Sequence, residues 1–183
     1  MCFSIFPIYM ITLNRIIALT VLTVSTFYSQ AAAAESAKNW TPPAAKIYAQ
    51  TLSEQIMAAH PELLSVTFHG VPPGMSKVYT MFAGSYVDRI GNPDDPDDIM
   101  IIELGITIVD PRWHRPKDTV KKFVMMVPLR DAAAENIGLL VLAYKNAPGT
   151  GKSDTDFFIA SSKLRDDLQE QIPNLESLFA PAK

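Results

Sequence analysis

Apolar residues recur at helical spacing across Ala45–His60, where Ile47, Leu52, Ile56 and Met57 stand among alanines, and the segment predicts a helix with one packed face. Thr41 is the expected N-cap, with Pro42 and Pro43 in the first turn. The helix is expected to end near His60, because Pro61 disfavours helical geometry in the residue before it. The period then changes to two: Leu64, Val66 and Phe68 alternate with Ser65, Thr67 and His69, which predicts a strand. After the turn VPPGMS, with Pro73 and Gly74, the run KVYTMFAGS reads as a second strand, and so short a link implies an antiparallel hairpin.

The texture next becomes YVDRIGNPDDPDD, a loop. Asp95 is placed to cap a short helix, with Pro96 as its first residue, Asp97 and Asp98 at the positive end of its dipole, and Gly105 as its stop. ITIV is a short strand and DPRWHRPKD a break. KKFVMMVPLRD and NIGLLVLAYK are apolar on both alternating faces, so this part of the sheet is expected to be covered on both sides. Pro128 argues for an edge, a bulge or a strand end. After NAPGTGKSDT the chain reads as a helix broken near Pro173.

The first part of the 183-residue chain has a different character. Arg15 is the sole charged residue before Glu35, and it precedes the apolar run Ile16–Phe27, which is too short to span a bilayer. SQAAAA follows, with small residues suited to an Ala-x-Ala cleavage site. We read residues 1–34 as a secretory signal peptide cleaved near Ala34, and 35–183 as one periplasmic or secreted domain. The whole chain has a formal net charge of −3, and removing Arg15 makes it more acidic, so nothing favours nucleic acid or anionic lipid. The sole cysteine, Cys2, leaves with the leader, which removes any disulfide, thiol nucleophile or thiolate ligand from the exported domain.

The order long helix, strand, strand, short helix, strand, strand, strand, helix resembles that of single-Cache domains, extracytoplasmic relatives of PAS domains, over roughly Ala45–Lys145. ELGITIVDP, Glu103 to Pro111, looks like the Cache helix that ends in glycine and feeds the middle strand. The resemblance implies an α+β fold: a five-stranded antiparallel sheet, a long N-terminal helix on one face, a small-ligand pocket on the other, a short middle helix and a C-terminal helix. Members of that family usually sit in receptors, tethered by a membrane helix to a kinase, cyclase or chemotaxis module. This chain shows no second membrane run, so the resemblance implies a free periplasmic sensory module that passes its signal to a separate membrane sensor kinase or cyclase. A ligand-free envelope module for protein–protein interaction is the alternative, and a periplasmic enzyme the third reading.

In the pocket so implied, Tyr79 and Met81 share a strand, Met125 lies on another, Asp88 and Arg89 occupy the loop beside the sheet, and Arg130 ends its strand. These are the expected ligand contacts, in an apolar cavity with a few polar fixers that suit a small, anionic molecule. Arg112, Trp113 and Arg115, with His114 between, form the densest recognition cluster and are expected to bind that anion or a partner protein. Asp94, Asp95, Asp97 and Asp98 lack the EF-hand spacing and read as helix capping and solvation. His60, His69 and His114 are scattered singly, so surface or structural roles are expected and no metal or cofactor is assigned. No nucleophile elbow or other catalytic motif is present, and the chain is not expected to be an enzyme.

One stretch points elsewhere. NAPGTGKS, Asn146 to Ser153, follows the pattern of a phosphate-cradling Walker A loop at every position except the first, where Asn146 replaces glycine. Such a loop works in a parallel sheet, with a later strand to help hold magnesium. After Ser153 the residues read as helix, and export would remove the protein from nucleotide, so the stretch is expected to be a plain turn between the last strand and the final helix.

Overall fold

The computed structural model describes residues 37–110 and 119–182. Within them α1 (Tyr48–Ala59) leads to β1 (Leu63–Gly70) and β2 (Thr80–Gly84). Then come α2 (Pro96–Leu104), β3 (Ile108–Asp110), β4 (Lys122–Arg130), β5 (Asn136–Lys145), α3 (Asp154–Gln169) and α4 (Leu175–Phe179). The strands form one five-stranded sheet in the order β2-β1-β5-β4-β3, with every pair antiparallel. This is the α+β, PAS-like sheet that the order of elements implied.

Strand parity splits the core in two. On β4, Phe123, Met125, Val127 and Leu129 face α1 and α3, whereas Val124 and Met126 face α2. The α1/α3 face holds the larger cluster, in which Phe123 stacks on Phe157 at 4.4 Å and Phe82 meets Phe179 at 4.8 Å. The α2 face holds a smaller one built on Ile101, Val124, Met126, Leu139 and Ala143. Both faces of the central strands are covered, as their unbroken apolar runs predicted. Gly138 lets β1 and β5 approach, since a Cβ there would lie 2.4 Å from the His69 carbonyl oxygen.

Three local readings need correction. The first helix starts at Tyr48, not after Thr41, and its N-cap Ile47 offers no side-chain bond. The C-terminal segment serves instead: the Tyr48 N–H donates to Ala180 O at 2.8 Å, the Ala182 N–H to Lys46 O at 2.8 Å, and Ile47 pairs with Pro181. The second strand starts at Thr80, so the hairpin link is longer than VPPGMS. A bulge between Leu63 and Ser65 turns Leu64 toward the α2 cluster, away from Val66 and Phe68.

Other signals hold. Asp95 and Asp98 close a capping box on α2, Pro96 opens it, and Gly105 ends it in the left-handed conformation at φ 62°. His60 ends α1, and Pro173 separates α3 from α4. Pro128 pairs with Leu139 on β5, while β3 covers β4 only from Val124 to Met126, so the proline stands where β4 is locally an edge among the described residues. Asn146–Ser153 is the loop from β5 to α3, in an all-antiparallel sheet. Its Ser153 accepts the Asp156 N–H and caps α3. No helix among the described residues is long and apolar enough to cross a membrane.

Candidate functional site

On the α2 side, β1 turns Ser65, Thr67 and His69 inward from the positions that alternate with Val66 and Phe68. These three polar residues are buried, in the middle of a strand paired on both sides. They form one wall of a cavity of about 190 Å³. Val124, Val141 and Ala143 supply an apolar floor, with Lys122 at one end. Met81, Tyr86, Arg89, Asp95 and Asp98 complete the lining. Arg89 and Tyr86 belong to a short 3₁₀ turn, Val87–Arg89, and its N-cap, where the guanidinium lies 5.7 Å from the centre of the Tyr86 ring.

The segment after that turn brings acid to the histidine. It runs beside β2: the Gly91 N–H donates to Met81 O, the Met81 N–H to Asn92 O, and the Asp94 N–H to Tyr79 O, with Pro93 bridging to Thr80. Asp94 is thereby carried against His69, and Asp98, one helical turn beyond the N-cap Asp95, comes to the same spot. His69 Nδ1 lies 2.7 Å from Asp94 Oδ1 and 3.9 Å from Asp98 Oδ2, while Nε2 lies 2.8 Å from Thr67 Oγ1. Asp98 Oδ2 also accepts the Asp95 N–H at 3.3 Å. The Asp94 side chain is 1% exposed, and its Oδ2 is buried without a hydrogen-bond partner, as is Asn92 Oδ1.

Burial sets the electrostatics here. It raises the Asp94 carboxyl above the ordinary carboxylate range, against the hydrogen bond and charge of His69. Asp98 is pushed up to about 6, first by burial; His69 opposes the rise and the neighbouring Asp94 adds to it. Two carboxylates facing one imidazole in a desolvated corner leave excess negative charge for a proton or a cation to neutralise.

Thr67, His69 and Asp94 are bonded in the order of an acyl-transfer triad. Thr67, however, sits mid-ladder, opposite Gly84 on β2 and Val141 on β5, so the backbone N–H groups around it are engaged in the sheet instead of forming an oxyanion hole.

Of the residues expected to contact ligand, Met81 and Arg89 line this cavity together. Tyr79 precedes β2 and donates its hydroxyl to Glu103 Oε1 at 2.7 Å, outside the lining. Asp88 is exposed on the 3₁₀ turn. Met125 is fully buried in the α1/α3 core, because parity points its neighbour Val124 to the cavity. Arg130 ends β4 opposite Asn136 and away from the cavity lining. Arg112, Trp113 and Arg115 lie outside the described residues. The His69–Asp94–Asp98 cluster is not visible in the sequence pattern, which presents a lone histidine and a capping run. The available signal was Ser65, Thr67 and His69 in alternation within a strand flanked by apolar neighbours.

No family model matches the chain, and no curated protein matches it. Among solved structures, the E. coli DcuS sensor domain is 14% identical, with a TM-score of 0.37 over 64% of this chain and 71% of that one. The GAF domain of an Acinetobacter phosphoenolpyruvate-protein phosphotransferase is 9% identical, with a TM-score of 0.43 over 67% and 79%. A type II free methionine-R-sulfoxide reductase from Thermoplasma acidophilum is 15% identical, with a TM-score of 0.41 over 67% and 90%. The strand order and the placement of the helices, not these distant likenesses, carry the description of the fold as PAS-like.

Proposed function

We propose that this chain is an extracytoplasmic sensory module of the single-Cache kind, which binds a small ligand and acts through a separate membrane sensor kinase or cyclase. The observation that carries this reading is the cavity on the α2 face of the sheet, where an apolar floor meets a few convergent polar groups. The leader-like residues before Glu35 favour export, and the occupied backbone around Thr67 favours binding over catalysis.

Size and charge narrow the ligand. About 190 Å³ falls below the ~300–1,000 Å³ of sites for drug-sized molecules and suits an amino acid or small carboxylate better than a nucleotide. Arg89 can hold an anionic group with paired hydrogen bonds, whereas Asp95 and Asp98, also in the lining, call for a donor on the ligand. Thermal unfolding in a library of amino acids, small carboxylates and purines tests the proposal. At least one amino acid or carboxylate should raise Tm, and Arg89→Ala should weaken its binding by roughly 10–100-fold, the worth of one charge-assisted contact. If no compound raises Tm, or the active compound binds Arg89→Ala undiminished, the reading fails.

A further inference from the structure

We propose that His69, Asp94 and Asp98 form a binding site for a first-row divalent cation such as zinc, at the inner wall of the α2-face cavity. Each of these residues offers a ligand atom, and the three atoms lie within 4.8 Å of one another. One imidazole and two carboxylates are borderline-to-hard donors that suit zinc and its first-row neighbours, while the nitrogen disfavours calcium and magnesium.

Three observations go beyond the clustering. Asp94 Oδ2 is buried and unpartnered on a side chain that is 1% exposed, so it is a carboxylate oxygen with unused acceptor capacity at the site itself. His69 Nε2 has its own partner in Thr67 Oγ1 at 2.8 Å and Nδ1 is directed at the two acids, so an imidazole that ligated a cation through Nδ1 could donate its Nε2–H to that hydroxyl. His69 and Asp98 also line the cavity, which gives a cation an entry path and leaves open positions for water. A bound cation would replace the proton that Nδ1 and Asp94 share and would neutralise the excess negative charge of the corner.

The test uses zinc alone, so its outcome is independent of any organic ligand and of the sensory reading above. The full chain is stripped with a chelator and dialysed, then titrated with zinc by calorimetry and by thermal unfolding. One equivalent should bind, and a hundredfold excess over Kd should raise Tm by roughly 5–10 °C. His69→Gln and Asp94→Asn should each abolish the rise. His60→Gln, in the surface pair with Glu62, and Asp97→Asn, an exposed neighbour in α2, should keep it. Should the site variants fold poorly, X-ray absorption on the zinc-loaded wild type should show imidazole scattering in an otherwise oxygen shell. Absence of stoichiometric binding, undiminished binding in Asp94→Asn, or a zinc spectrum without imidazole overturns the proposal.

Discussion

One face of the sheet is closed over its central strands, whereas the other is covered only in part. Toward α1 and α3 the central strands present mostly large apolar side chains, Phe68, Met125, Leu140 and Leu142 among them, and the rings of Phe123 and Phe157 stack at 4.4 Å. Toward α2 the same strands carry smaller residues, Val141 and Ala143 among them, beside the polar series Ser65, Thr67 and His69, and the space between is a cavity. Since the strands are shared, the difference lies in side-chain size and in the number of helices above each face. The closed face supplies stability, and that allows the open face to bury groups that cost stability, such as Asp94 and Asp98.

The largest expected effect tests that division directly. Phe123→Ala removes a fully buried ring from the closed face and should cost about 3–5 kcal/mol in denaturant unfolding. Val141→Ala, on the same sheet but at the cavity floor, should cost about 1 kcal/mol, because part of its surroundings is already empty. Equal losses at the two positions would mean that the cavity is as tightly packed as the core.

Much of this architecture was legible because its signals are local. The helix α2 carries its cap, its first proline and its terminating glycine within its own sequence, from Asp95 to Gly105. The apolar runs of β4 and β5 announced burial on both sides because each strand samples both faces. The start of α1 was not legible, because its first N–H, that of Tyr48, is met by Ala180 at the far end of the chain. The same holds for the site. His69 and Asp94 are 25 residues apart and are joined by the pairing of residues 91–94 with β2, which no spacing rule foretells. Asp98 is both a helix cap and part of the cluster, so the capping reading was correct and concealed the second role. Met125 was misdirected by a single step of parity, a choice that the sequence leaves open when both faces are apolar.

The next effect links the two faces through the backbone. Gly138→Ala would place a methyl group 2.4 Å from the His69 carbonyl oxygen, forcing β5 away from β1. A loss of about 1–3 kcal/mol is expected, the usual range for overpacking, measured by denaturant unfolding. Because the strained carbonyl belongs to His69, the variant should also weaken whatever the cavity binds. An unchanged affinity would show that the imidazole is held by Thr67 and Asp94 independently of its own backbone.

The smallest effects fall at the Asn146–Ser153 loop, which leads into the closed-face helix α3 and lies outside the cavity lining. Ser153→Ala removes the side chain that accepts the Asp156 N–H and should cost about 1 kcal/mol. Its partner Asp156 is held below the ordinary carboxylate range by the backbone and side-chain hydrogen bonds from Ser153. The native state therefore favours the charged form of Asp156, so its contribution is present above the unfolded pKa and is lost as pH falls through the folded one. The gap between wild type and Ser153→Ala should narrow on acidification accordingly. Lys152, the residue that would reach phosphate in a Walker loop, instead places its ammonium 5.7 Å from the Phe157 ring centre. Lys152→Ala should change stability by no more than about 0.5 kcal/mol and leave ligand binding unaltered, as expected of a surface residue. Serine and lysine stand side by side in the motif, so the nucleotide reading requires both to matter through phosphate, while the structure gives the serine a cap and the lysine a ring face. Nucleotide binding by the wild type that is lost in Lys152→Ala would overturn that assignment, and with it the claim that the ligand chemistry belongs to the α2 face.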